Sequence, residues 1–247
     1  MEKSKFIAAK KHKSEKKIEI STLVELNRVF KMKSWEISND SEDKSSLFNR
    51  FIATLEDLSY EQQQLILELT ARFEWIQNRD YEEHLKKALD SMLNDRSLDF
   101  TKVKTIYVAP LIAPKDFGKN KSSKYVLYMF PNILHYNSQL KNISIQTINE
   151  LEVDKDINWE ISVLILLDDF IGTGNTAKEA IDYLMTDKGV NPKKIIVLSI
   201  ASMETGIKLI SNLGVSNYTS MELKKGITDY YTSEEAQSKL QVMNEIE

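Results

Sequence analysis

The sequence predicts an α/β protein in which a parallel sheet is flanked by helices and preceded by an all-helical N-terminal region. Three features carry that expectation. From Ile18 to about Leu93 the apolar residues recur at helical spacing. Beyond SLDFTK the pattern changes to short apolar runs, VKTIYV (103–108), SVLILL (162–167) and KIIVLSI (194–200), set apart by polar or helical connectors. Between the last two runs, NTAKEAIDYLMTDKG gathers Ala177, Ile181 and Leu184 on one helical face and stops at Gly189. Strand, helix and strand then form a βαβ unit, whose crossover should be right-handed.

The N-terminal helices are legible one by one. In SSLFNRFIATLEDL, Leu47, Phe51, Leu55 and Leu58 share a face with Phe48 and Ile52 beside them. Ser59 followed by Gln62 is a capping-box signature, and the helix it starts carries Leu65, Leu69, Phe73 and Ile76 on one stripe. Asp80 with Glu83 makes a weaker cap ahead of Tyr81, Leu85, Leu89 and Met92. Trp35 and Trp75 are expected to complete this helical core. SVLILL shows no polar alternation, so both of its faces should be covered, as in a parallel sheet with helices on each side. METGIKLISNLG reads as a further helix, residues 217–221 as a further strand, and the segment after Thr232 as a C-terminal helix.

This organisation gives a basic, disordered tail over 1–17, a helical region over 18–98 and an α/β domain over 99–247. With 247 residues, 42% of them hydrophobic, the chain can bury a sizeable core. Cysteine is absent, which excludes disulfides, a thiolate nucleophile and Cys-ligated metal, and suits a reducing cytoplasm. No apolar run approaches the roughly 18 to 20 residues needed to span a bilayer, so a soluble, cytoplasmic protein without membrane contact is expected. Net charge is −4, so overall charge does not argue for a nucleic-acid binder. Seven lysines crowd between Lys3 and Lys17; a solvated tail is favoured over a nucleic-acid or lipid contact. His12, His84 and His135 show no metal-binding spacing, and Tyr230 and Tyr231 fit packing better than base stacking.

The chemistry concentrates in LLDDFIGTGNTA, Leu166–Ala177. At the carboxyl end of a buried parallel strand, side chains leave the sheet and face the crevice where ligands of open α/β sheets bind. Asp168 and Asp169 sit there, and two adjacent carboxylates need solvent, cations or hydroxyl donors to stay ionised. A ribose diol and a magnesium ion would meet that need. The following GTGNT opens a helix, where free N–H groups and the helix dipole favour a phosphate. Carboxylates followed by phosphate donors describe a ribose 5-phosphate. A G-x-G-x-x-A dinucleotide fingerprint also matches formally, but the two preceding aspartates carry the wrong charge for a pyrophosphate. An apolar strand ending in Asp-Asp fits an ATPase Walker B element as well, yet no G-x-x-x-x-G-K-[ST] completes it.

VLILLDDFIGTGNT resembles the phosphoribosyl pyrophosphate (PRPP) motif of the type I phosphoribosyltransferases. The resemblance implies a type I phosphoribosyltransferase-like sheet, with Asp168 and Asp169 as the catalytic pair on the ribose hydroxyls. Gly172, Thr173, Gly174, Asn175 and Thr176 would wrap the 5-phosphate, and Mg2+ would arrive mostly with PRPP rather than on protein ligands. The family builds its pyrophosphate site after an earlier strand, which points here to APLIAPKDFGKNKSSKY and to Lys119, Lys121, Ser122 and Ser123. Taken by themselves, those residues fit a solvated surface loop equally well. In purine-salvage members an acid between the paired acids and the Thr-Gly pair accepts a proton from the base. Gly172 stands there in this chain, which disfavours hypoxanthine or guanine salvage.

The whole layout looks most like phosphoribosyltransferase-like proteins of prokaryotic conflict systems, some of which accompany retron reverse transcriptases in phage defence. That implies a nucleotide-directed effector with protein or ribonucleoprotein partners. A catalytically silent module that kept the pocket for ligand sensing is the second expectation. Neither the acceptor nor the oligomeric state follows from any motif.

Overall fold

The computed structural model describes residues 18–135, 137–154 and 156–246. The basic tail 1–17, His12 and the side chain of His135 lie outside the described residues. In chain order the elements are α1 (Ile20–Met32), α2 (Leu47–Glu56), α3 (Tyr60–Arg72), α4 (Tyr81–Leu93), β1 (Thr105–Pro110), α5 (Ser122–His135), β2 (Ser144–Thr147), β3 (Ser162–Ile171), α6 (Asn175–Thr186), β4 (Ile195–Met203), α7 (Glu204–Asn212), β5 (Ser216–Leu223) and α8 (Ser233–Asn244). The described residues divide into two compact units, one of 18–74 with 225–246 and one within 75–224. These limits differ from the expected division at 98/99. α4 packs on β4 and β5 and so belongs with the sheet, whereas α8 packs on α3.

In the sheet unit all five strands are parallel, in the order β2-β1-β3-β4-β5. Alternate residues of β3 face opposite ways. Val163, Ile165 and Leu167 pack with Leu85, Leu89 and Met92 of α4 and with Val126 and Phe130 of α5. Leu164 and Leu166 pack with Ala177, Ile181 and Leu184 of α6 and Ile210 of α7. The unbroken apolar run therefore reflects burial on both faces, each large side chain contributing about 1.5–3 kcal/mol. β3, the central strand, extends past the expected end at Leu167 to Ile171, so that Asp168 pairs with Ser199 of β4 within the ladder.

In the helical unit, Leu26, Phe30, Phe48, Leu55 and Leu67 form the core of α1 to α3. Phe30 meets Trp35, Phe48 and Phe51 edge-on, with centroids 5.3, 5.0 and 5.3 Å away. The buried Thr22 hydroxyl donates to Gln63 Oε1 at 3.0 Å, and Gln63 Nε2 donates to the Leu55 carbonyl at 2.9 Å, so these buried polar groups are satisfied. The Ser59–Gln62 capping box forms on both sides. A second box, Thr232 with Glu235, starts α8.

Four expectations need correction. Trp75 is 59% exposed and does not complete the helical core, whereas Trp35 does. Leu47 is 39% exposed, so the buried side of α2 runs through Phe48 and Leu55. Phe73 lies beyond the end of α3 at 56% exposure, and Leu67 is buried in its place. Asp80 makes no cap to α4: its carboxylate pairs with Arg79 at 3.5 Å, and Glu83 pairs with Lys87 at 2.7 Å. Tyr231 packs as expected, its ring beneath Arg72 and Lys239 and its hydroxyl accepting from Arg72 Nη2 at 2.7 Å. Among the described residues no helix is long and apolar enough to cross a membrane.

Candidate functional site

The strand order reverses direction between β1 and β3, so the helices that follow them, α5 and α6, leave toward opposite faces of the sheet. Beyond the carboxyl ends of two such strands a crevice opens, because neither crossover covers it. Here the crevice is a cleft of about 320 Å3. Leu111 and Ile112 line it after β1, Asp116 from the following turn, and Lys121, Ser122 and Ser123 at the start of α5. Asp168, Asp169 and Phe170 of β3 and Thr176 of α6 complete the lining.

The two aspartates differ through the strand's alternation. Asp169 falls on the α4/α5 side, where Ser122 Oγ donates to its Oδ1 at 2.7 Å and the Tyr81 hydroxyl of α4 faces its carboxylate. Burial and that carboxylate raise the Tyr81 pKa. Tyr125 stacks beside it, the two rings 6.1 Å apart at a tilt. Asp168 points to the other side and accepts the Asp169 backbone N–H at 3.0 Å on Oδ1. Burial, then the Asp169 charge, push the Asp168 carboxyl well above the usual carboxylate range. The pair thus divides into one acid that accepts a serine hydroxyl and one whose carboxyl burial pushes toward its neutral form.

After β3, Gly172 to Gly174 turn the chain into α6. Gly174 has φ +83°, a left-handed conformation open to glycine, and a Cβ there would meet Gly206 Cα at 3.1 Å. No side chain caps α6 from Gly174; the Asn175 N–H reaches Thr173 Oγ1 at 3.5 Å. The first turn of α6 therefore presents backbone donors beside Thr176, as an anion site requires. Gly206 of α7 supports the turn: a Cβ on it would lie 2.6 Å from the Gly172 carbonyl oxygen.

On the opposite wall the expected pyrophosphate residues separate. Ser122 and Ser123 belong to the first turn of α5, not to a loop, and with Lys121 they line the cleft. Lys119 does not line it; its ammonium binds Asp116 Oδ1 at 2.6 Å, while Lys121 binds Asp116 Oδ2 at 2.9 Å. Those two lysines depress the Asp116 pKa to about 2. Ser123 is 1% exposed, and its Oγ is the one buried side-chain polar atom among the described residues without a hydrogen-bond partner. A buried hydroxyl left unpaired costs about 1–3 kcal/mol, so a group reaching it from the cleft would recover that cost.

Sequence reasoning passed over Tyr81, Asp116 and Gly206. Tyr81 lies on an apolar helical stripe in the sequence, and only the tertiary fold brings it to Asp169. Asp116 was within the quoted loop but unmarked. Gly206 carried a signal, a glycine inside a helical pattern, that calls for a packing reason. His84 is satisfied, its Nδ1 2.8 Å from Ser220 Oγ. Among the described residues no group of three or more His, Asp or Glu is placed to hold a metal ion.

A parallel five-stranded sheet with helices on both faces, and an acid pair and helix start at its switch point, have the layout of a type I phosphoribosyltransferase-like α/β fold. A family model, PRTase-CE, matches residues 48–244, and the chain belongs to that family. No curated protein matches. Solved structures similar to it include an orotate phosphoribosyltransferase from Aeropyrum pernix, at 12% identity over 68% of this chain and 78% of that one, TM-score 0.37. Another is the APRTase of Giardia lamblia complexed with 9-deazaadenine, at 13% identity over 59% and 81%, TM-score 0.39. A third is the Helicobacter pylori xanthine-guanine-hypoxanthine phosphoribosyltransferase, at 13% identity over 60% and 80%, TM-score 0.31.

Proposed function

We propose that the cleft binds PRPP, or a closely related ribose phosphate, together with Mg2+, and acts at C1 of the ribose. What supports this is one cleft of about 320 Å3 lined by Asp168 and Asp169, by Lys121, Ser122 and Ser123, and by Thr176 in the first turn of α6. Asp168 and Asp169 would accept hydrogen bonds from the ribose diol. The turn Gly172 to Thr176 would take the 5-phosphate on backbone N–H groups. Lys121 and the unpaired Ser123 Oγ would take the diphosphate on the opposite wall, while Ser122 Oγ holds Asp169.

In transfer, an acceptor lone pair forms a bond to C1 while the C1–O bond to diphosphate breaks, its electron pair leaving with pyrophosphate. The donors on α5 would stabilise the charge that gathers on the leaving oxygens, and the acids the positive charge on the ribose. A divalent cation on the diphosphate would supply further neutralisation. Gly172 puts no general base near the acceptor, so the acceptor must ionise by itself or bring its own base. That same position favours the second reading, a module that binds the ligand and signals without transferring.

The resemblance in layout supports a role as a nucleotide-directed effector in a retron-type phage-defence system, working in the cytoplasm with protein or ribonucleoprotein partners. Calorimetric titration with PRPP and Mg2+ tests the binding claim. The wild type should bind with one site per chain and Asp168→Asn/Asp169→Asn should lose most of the affinity; no binding by the wild type refutes both readings. Pyrophosphate release with candidate acceptors separates transferase from sensor. Loss of phage protection in the same double variant tests the defence role.

A further inference from the structure

The cleft's own charge sits oddly with an anionic ligand. Its lining carries three acidic side chains, Asp116, Asp168 and Asp169, and a single ammonium, Lys121. That ammonium is already engaged: Lys121 and Lys119 grip the two oxygens of Asp116 separately, at 2.9 and 2.6 Å. The Asp116 side chain is only 13% exposed, and its backbone is fixed in a short 3-10 turn, where its N–H donates to the Ala113 carbonyl at 2.8 Å. The two lysine side chains are about half exposed and can swing. Close by, Ser123 Oγ is buried without a partner and Ser122 Oγ is spent on Asp169. A fixed carboxylate thus holds two mobile cations beside an unsatisfied donor.

We infer that Asp116 is an internal competitor for the diphosphate, occupying Lys119 and Lys121 until a ligand with at least two anionic groups displaces it. This rests on the ribose-phosphate site proposed above and adds the rule by which that site selects its ligand. A carboxylate carries one charge over two oxygens, and a monophosphate carries nearly two over three, but all at a single centre. A diphosphate spans two centres and can take both ammonium groups while reaching Ser123 Oγ, which a single-centred anion does not do. The carboxylate left behind repels the bound anion, so tight binding also needs the divalent cation that travels with the diphosphate. Asp116 therefore makes the cleft selective for metal-complexed diphosphates and keeps it closed to free phosphate.

The test is calorimetric titration of wild type and Asp116→Asn with inorganic pyrophosphate, with and without Mg2+, and with ribose 5-phosphate as the reference for the far end of the cleft. Asparagine preserves the size and the backbone hydrogen bond, and matching melting curves establish that the variant is folded. Expected are pyrophosphate binding to the wild type only with Mg2+, a gain of about fivefold or more in Asp116→Asn, and appreciable binding without Mg2+. Lys121→Met added to Asp116→Asn should cancel the gain. Ribose 5-phosphate affinity should stay within about twofold, because its contacts lie on α6. Unchanged or weaker pyrophosphate binding by Asp116→Asn, with ribose 5-phosphate still bound, overturns the inference and leaves the site standing. Failure of every protein to bind either ligand overturns both.

Discussion

Gly206→Ala sets two effects of opposite sign against each other on α7. Residue 206 lies inside a helix, where alanine in place of glycine favours folding by about 1 kcal/mol. The added Cβ would lie 2.6 Å from the Gly172 carbonyl oxygen, 2.8 Å from Ile171 Cγ2 and 3.4 Å from the Gly174 nitrogen. Two of those atoms are backbone of the turn that leads into α6, and they cannot rotate away. Overpacking of this kind costs about 1–3 kcal/mol, and contact with a backbone oxygen places it at the upper end. The net effect should be a loss of about 1–2 kcal/mol in the sheet unit. The strain falls on the turn assigned to the 5-phosphate, so ribose 5-phosphate affinity should drop by about tenfold through displacement of its donors. Denaturant unfolding followed by calorimetry reads both quantities. A variant as stable as the wild type, with unchanged affinity, would refute the argument that α7 props the phosphate turn.

Other consequences follow from individual groups. Ser123→Ala removes a buried hydroxyl that has no partner, so thermal stability should hold or rise by about 1 kcal/mol while pyrophosphate affinity falls; a destabilised variant would mean the hydroxyl has a structural role. Asp168 has its pKa raised by burial and by Asp169, so the folded state holds its proton to higher pH than the unfolded chain does. Its contribution lowers stability as pH rises above the unfolded carboxylate value of about 4, and Asp168→Asn should be the more stable protein near pH 7. That advantage should vanish below about pH 4, where both states are protonated; an advantage independent of pH in unfolding curves would rule out ionisation as its source. Ser59→Ala breaks the capping box of α3 and should cost the helical unit about 1 kcal/mol in urea unfolding, whereas Ser59→Asp should restore most of it.

What the sequence disclosed follows the strength of local pattern. β3 and α6 were evident because SVLILL is apolar on both faces and the helix behind it repeats at 3.6 residues. β2 was not, since SIQT is four residues long, largely exposed and on the sheet edge, where burial leaves no apolar signature. α5 carries little helical signal at its start: Gly118 and the polar KNK precede it, its first residues are the polar SSK, and Pro131 interrupts its interior. The acid pair and the phosphate turn are contiguous in sequence and so were found together. Tyr81 and Asp169, and Gly206 and Gly172, are joined only by the packing of separate elements. The unpaired state of Ser123 Oγ is a property of the folded core, invisible in the letters SS.

The central claim is that one cleft holds the two ends of one ligand, and competitive calorimetry addresses it most directly. Ribose 5-phosphate and Mg2+–pyrophosphate should bind at the same time, one of each per chain, and PRPP with Mg2+ should displace both at a stoichiometry of one. Asp168→Asn/Asp169→Asn should weaken PRPP far more than pyrophosphate. If PRPP binds without displacing either half-ligand, or displaces only one, the two walls of the cleft do not form a single site and the account is wrong.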